Sequence, residues 1–200
     1  MRGRFLTVIV AGFLIGALAG AAALIVTRAP TGPEVATTGT ALIGGPFTLV
    51  GRDGKTVTDR AFRGKYMLVF FGFTHCPDIC PAELQVIAQG LDKLGDKGKK
   101  VVPVFITLDP ERDTPQAMAE YVKSFGPNFV GLTGSPEAIA AVAKAYRVAY
   151  ARVENKESAG EYSVDHSALV YLMDPEGRYV THFSYGTGAD ELAEKLNKIL

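Results

Sequence analysis

Two hundred residues, 48% of them apolar, are enough for one domain with its own core. Basic and acidic residues balance at 21 each, and no basic stripe interleaved with aromatics occurs, which excludes the usual signature of a nucleic-acid binder. The two cysteines admit at most one internal disulfide, so the core and not cross-linking must hold the fold.

Phe5 to Val26 is free of charge over 22 positions, enough at about 1.5 Å per residue to cross a roughly 30 Å hydrocarbon layer. Arg2 and Arg4 precede it and Arg28 follows. The positive-inside rule therefore predicts a cytoplasmic amino terminus and an exported remainder, although Arg28 opposes that bias. A cleaved signal peptide is the competing reading, because Ala17-Leu18-Ala19 and Ala21-Ala22-Ala23 are small-residue sites, but the apolar run exceeds the usual length of a signal core. Beyond residue 28 the chain is slightly acidic, 18 basic residues against 21 acidic. The expected organisation is a membrane anchor at 1–28, a linker rich in Pro, Gly and Thr at 29–45, and a folded domain at 46–200.

Within that domain, Phe47–Val50 and Lys55–Val57 flank Arg52-Asp53-Gly54 as a hairpin. Met67–Phe73 is a near-continuous apolar run, as expected of a strand buried on both faces. Leu84, Ile87, Ala88, Leu91 and Leu94 recur at helical spacing, with Gly95 placed to stop the helix. Val101–Ile106 reads as a strand despite Pro103, which favours an edge or a bulge. Thr114-Pro115 and Ser135-Pro136 each pair an N-cap with proline at the first helical position, predicting helices near 115–125 and 136–146, with a short strand at Phe129–Leu132 between them. Residues 147–165 form a polar excursion, partly strand. Ala168–Met173 and Tyr179–Ser184 flank the turn Asp174-Pro175-Glu176-Gly177, and Leu192, Leu196, Ile199 and Leu200 mark a closing helix. This order predicts an α/β, thioredoxin-like mixed sheet flanked by helices, preceded by an N-terminal transmembrane helix.

Chemistry concentrates in His75-Cys76-Pro77-Asp78-Ile79-Cys80-Pro81, where a buried strand is expected to become a helix. Residues four apart share a helical face, so Cys76 and Cys80 can present both sulfurs to one point. A helix amino terminus favours thiolate, which serves metal binding and disulfide exchange alike, so the pair alone does not choose between them. A short loop gives a disulfide little chain-entropy gain, which argues against a purely structural staple. Asp165-His166-Ser167 precedes the strand expected to face the cysteine loop. Two thiolates and an imidazole form a soft, low-coordinate set suited to copper as Cu(I) or Cu(II), with Asp165 available to orient the imidazole. A histidine before a strand is, however, ordinarily a capping or core residue. His75 reads as a supporting residue and His182 as structural, while Asp78 either tunes the thiols or simply favours the helix start.

Phe71-Gly72-Phe73-Thr74-His75-Cys76-Pro77-Asp78-Ile79-Cys80-Pro81, Thr107-Leu108-Asp109-Pro110-Glu111-Arg112-Asp113-Thr114-Pro115 and Val164-Asp165-His166-Ser167 together resemble the SCO/SenC family of membrane-anchored copper proteins. The resemblance spans roughly residues 44 to 200. It implies copper ligation by Cys76, Cys80 and His166, with delivery of copper to the CuA centre on the copper-binding subunit of cytochrome c oxidase during assembly. It also implies an upstream copper donor, and residence in the inner membrane by a single pass with the C-terminal domain in the periplasm or an equivalent space. Such a metallochaperone transforms no substrate chemically. The alternative is an extracytoplasmic thiol-disulfide oxidoreductase that keeps the oxidase cysteines reduced, with Cys76 and Cys80 as its redox pair. A third reading is a copper- or redox-responsive interaction protein. Thioredoxins use CxxC and a cis-proline where this chain has Ser163-Val164-Asp165-His166-Ser167. Peroxiredoxins place threonine three residues before the reactive cysteine, where this chain has Phe73. Asp109, Glu111, Arg112 and Asp113 match the family motif and read as loop hydrogen bonding, while Phe71 and Phe73 are candidate walls of the site.

Overall fold

The run Tyr66–Gly72 (β3) is buried along nearly its whole length because it is the middle strand of the principal sheet. In this computed structural model the described residues are 42–154 and 162–200, which belong to one unit extending from Ala41 to Leu200. The apolar run Phe5–Val26 lies outside them. No helix among the described residues is long and apolar enough to cross a membrane.

A small antiparallel hairpin, β1 (Thr48–Val50) and β2 (Thr56–Thr58), leads the domain. Helix α1 (Ile79–Lys93) carries the chain from β3 to β4 (Val101–Thr107), and α2 (Pro115–Lys123) carries it on to β5 (Val130–Leu132). Both strand pairings are parallel. Two crossovers stepping in the same direction with the usual right hand place α1 and α2 on one face. Helix α3 (Pro136–Ala145) follows β5, and Tyr146 at its end packs on Phe71. A second hairpin, β6 (Tyr150–Glu154) and β7 (Tyr162–His166), occupies the region expected to be a polar excursion, partly strand. β8 (Leu169–Met173) then pairs antiparallel with β3, β9 (Tyr179–Ser184) pairs with β8, and α4 (Ala189–Ile199) closes against α1. The sheet order β5-β4-β3-β8-β9, flanked by helices, is the expected thioredoxin-like arrangement.

Local sequence explains most boundaries. The Thr114 and Ser135 hydroxyls accept from the amides of Ala117 and Ala138, each with proline at the first helical position. Gly95 takes a left-handed φ of 56° just past α1, and Gly177 takes 75° in the β8–β9 turn. Pro103 stands inside β4, where a central strand would lose a ladder bond. β5 reaches only Val104 to Ile106, so at Pro103 the ladder is open on that side.

Alternation along β3 divides the core. Leu68, Phe70 and Gly72 face α1, and Phe70 packs at 5.9 Å on Phe105. Phe71 faces the other way, 5.3 Å from Tyr146 and 6.2 Å from Tyr171. Such aromatic pairs add about 0.5–1.5 kcal/mol each beyond the area they bury.

Candidate metal and thiol site

β3 ends at Gly72, and Phe73 to Asp78 turn the chain sharply into α1. Cys80 falls in the first helical turn and Cys76 before it, both as free thiols. The Cys80 amide donates to the Cys76 sulfur at 3.4 Å, which satisfies one of the orphan donors of the helix. Asp78 occupies the N-cap position but its carboxylate makes no capping bond, so the cysteine sulfur takes that part.

Cys80 is fully buried, and a Cβ on Gly72 would meet its sulfur at 2.6 Å and the Phe105 ring at 2.8 Å. Only glycine leaves room there. The helix start was expected to favour thiolate at this pair. For Cys80 burial pushes the thiol up instead, with Cys76 and Asp113 adding to the effect and the Phe73 backbone opposing it.

His166 is the last residue of β7, set across the pocket from α1. Its Nε2 lies 3.7 Å from the Cys80 sulfur, and its Nδ1 is 3.1 Å from the Ser167 carbonyl. That carbonyl, and not Asp165, orients the ring. Asp165 alternates to the exposed side of β7 and contributes only a distant charge. Burial lowers the imidazole pKa, partly offset by the Ser167 contact and Asp165, so the neutral ring is favoured. Phe70 and Phe73 stand edge-on to it, each 6.2 Å away. Phe71 was a candidate wall, but strand alternation turns it to the opposite face. The pocket, about 330 Å³, is lined by Cys76, Pro77, Asp78 and Ile79 on one side and Ser163, Val164, Asp165 and His166 on the other.

Cys80 and His166 are thus in contact, while the Cys76 sulfur is engaged with the helix amide. Among the described residues no three His, Cys, Asp or Glu side chains are already gathered around a common point. Cys76 lines the same pocket as His166. His75 points away, its Nδ1 3.1 Å from the Thr74 hydroxyl and 3.8 Å from Asp113. His182 sits on β9 beside the Tyr179 hydroxyl at 2.6 Å, outside this pocket.

The loop between β4 and α2 matters more than its sequence reading allowed. Asp113, fully buried, accepts from the Thr74 amide at 3.0 Å, the Thr74 hydroxyl at 2.5 Å and the Thr107 hydroxyl at 2.6 Å. Asp109 accepts from the Tyr162 hydroxyl at 2.7 Å and from Arg112 Nε. Arg112 also donates to the Tyr162 carbonyl at 3.2 Å and covers the Tyr162 ring at 3.7 Å, with Arg152 on that ring at 3.6 Å. One loop therefore pins both the cysteine turn and the strand that bears His166. The motif spacing was the available signal, but nothing local says what these side chains reach.

A thioredoxin-like sheet whose active-site turn carries CxxxC, with a histidine leading into β8 and no cis peptide among the described residues, defines a thiol-and-imidazole class distinct from thioredoxin itself. The SCO1/SenC family model matches residues 35–200, and the chain belongs to that family. The SCO1 homolog 1 of Arabidopsis thaliana is 50% identical over 161 residues, covering 80% of this chain. The chain spans about half, 48%, of that relative's length. The crystal structure of Arabidopsis thaliana ScoI with copper bound shares 48% identity at a TM-score of 0.74, covering 78% of this chain and 98% of that one. BsSco, in which a disulfide switch was identified and which is a member of the Sco family of cytochrome c oxidase assembly proteins, is 25% identical at a TM-score of 0.61, covering 79% and 94%.

The close approach at Gly72 gives a direct test. Gly72→Ala is expected to destabilise the domain by about 1–3 kcal/mol through overpacking against Cys80 and Phe105, read as a lower midpoint in urea denaturation. An unchanged midpoint would mean that the sulfur can move aside freely.

Proposed function

We propose that this protein binds copper through Cys76, Cys80 and His166 and delivers it to the copper-binding subunit of cytochrome c oxidase, at the CuA centre, during assembly. The observation that carries the reading is the 3.7 Å approach of His166 Nε2 to the buried Cys80 sulfur, beside a pocket lined by both His166 and Cys76. Two sulfurs and a neutral imidazole suit copper better than a hard cation. The copper held by the Arabidopsis relative and the assembly role of the Sco family support the same reading. Copper here is cargo, so the chain's task is to hold it in few ligands and to yield it by exchange. Folded residues supply the donors, the Ser167 carbonyl fixes which imidazole nitrogen faces the metal, and Phe70 and Phe73 restrict water.

Thiol-disulfide exchange is the second reading, favoured by two free thiols four residues apart, joined through the Cys80 amide, and by the disulfide switch of the BsSco relative. In that case a thiolate attacks a partner disulfide and the second cysteine resolves the mixed species, returning the partner as a dithiol. For location, we propose that Phe5–Val26 anchors the chain by one pass in the inner membrane with the domain on the periplasmic side, residues 29–45 serving as the tether.

His166→Ala separates the two activities. Anaerobic Cu(I) competition titration should show affinity falling more than roughly 100-fold, with thiol exchange largely intact. Unchanged copper affinity would refute the site. Copper affinity should also weaken as pH falls. Burial keeps Cys80 protonated through neutrality, so binding must displace its proton at about tenfold in affinity per pH unit. A flat profile from neutral to mildly acid pH would contradict that. Fractionation of cells should place the intact chain in the inner membrane, resistant to salt extraction; a mature amino terminus near residue 22 or 24 would show a cleaved signal instead.

A further inference from the structure

The principal sheet has two ends of opposite charge. β3 and β4 begin side by side at Tyr66 and Val101, β8 ends at Met173 opposite Met67, and β9 begins at Tyr179, so these strands share one end, away from the cysteine turn that follows Gly72. Segments 59–65, 94–100 and 174–178 lie there and hold seven basic residues against four acidic ones. At the cysteine end, segments 73–78, 108–114 and 163–168 hold one basic residue, Arg112, against five acidic ones. Contacts fix the basic segments in place: the Gly64 amide donates to the Pro175 carbonyl at 3.0 Å, and Lys97 Nζ donates to the Asn197 side chain of α4 at 2.7 Å. Along α4, Glu191 pairs with Lys195 and Glu194 with Lys198, each at 2.7 Å, so that helix leaves the excess uncancelled. Asp59 is taken by Arg63 and Asp174 by Arg178, whereas Arg60, Lys65 and Lys100 are exposed and have no acidic partner among the described residues. The chain also enters the domain here. The Gly44 amide donates to the Ala145 carbonyl at 2.9 Å, and the Phe47 ring lies 6.2 Å from that of Phe62, within segment 59–65. Leu42, just before, is 82% exposed, and Val180 at the start of β9 is exposed as well.

We propose that the basic end of the sheet is a docking surface for the headgroups of an anionic phospholipid bilayer. Arg60, Lys65 and Lys100 meet the lipid phosphates, while Leu42 and Val180 reach the interfacial layer. An anionic surface attracts this end and repels the acidic cysteine end, so it orients the domain as well as holding it. The cysteine pocket is thereby turned away from the bilayer, toward an incoming partner. The inference rests on the proposed single-pass anchor. In that topology residues 29–41, 13 in number, span at most about 45 Å, so the domain never leaves the neighbourhood of the headgroups.

The full chain in lipid nanodiscs tests it, with Cys76→Ser and Cys80→Ser and a single dye-bearing cysteine, either Asp96→Cys on the basic end or Tyr185→Cys just past the far end of β9. In discs of equal parts phosphatidylglycerol and phosphatidylcholine, a headgroup-borne quencher should quench the dye at 96 and spare the dye at 185. In pure phosphatidylcholine, or when salt cuts the Debye length to a few ångströms, the ratio of docked to undocked domain should fall about tenfold or more. Lys65→Glu with Lys100→Glu should do the same in the mixed discs with the thermal midpoint unchanged, since both side chains are exposed. If that pair disturbs folding, the lipid and salt arms still decide. Equal quenching at the two positions, or quenching at 96 that ignores lipid charge and salt, would overturn the proposal. A chain that loses its amino-terminal run by cleavage would instead strike the anchor reading, and flotation of the mature chain with vesicles of the same two compositions would then decide the docking.

Discussion

The buried carboxylate of Asp113 is the constraint on which the site depends. It accepts from backbone and side chain of Thr74, on the turn that carries the cysteines, and from Thr107 at the end of β4. A buried carboxylate that lost those donors would be an uncompensated charge, a defect of several kcal/mol, so the turn cannot leave without a large cost. Four residues earlier, Asp109 with Arg112 does the same for Tyr162 and hence for β7. The distance between Cys80 and His166 is set by a loop that contributes to neither.

Burial of Cys80 gives this site a different character from an exposed redox pair. Its sulfur sits on the backbone of Gly72 against Phe105, and an apolar surrounding disfavours its charge. In the proposed role, charge develops there only when a metal or a partner sulfur compensates it. The exposed side of the pocket, with Cys76, Pro77 and Ile79, is where an incoming ligand would meet that charge.

Much of the fold was legible because its signals are local. Proline after Thr114 and Ser135 started helices, Gly95 stopped one, and the apolar run of β3 announced a central strand. What failed to read out was whatever depended on a partner. Every residue of β6 is exposed, so it lacks the alternation that a half-buried strand needs, and Val164 is the one buried residue of β7. Pro103 looked wrong for a strand because only the short reach of β5 makes its position open. Asp165 looked like a partner for the imidazole by adjacency, yet the pleat turns it outward and leaves that task to the Ser167 carbonyl.

By itself the sequence singled out the residues to which the proposed chemistry is assigned, because CxxxC at a strand-to-helix turn and a histidine before a later strand are matters of residue type and spacing. It determined the layer order as well, since helix caps, turns and apolar periods act over a few residues. Only the tertiary structure decided that His166 meets Cys80, that Phe73 and not Phe71 lines the pocket, and that the Asp109–Asp113 loop braces both halves. It decided too that burial outweighs the helix amino terminus at Cys80. Each of these rests on desolvation or on contacts between segments far apart in the chain, and neither leaves a mark on local composition.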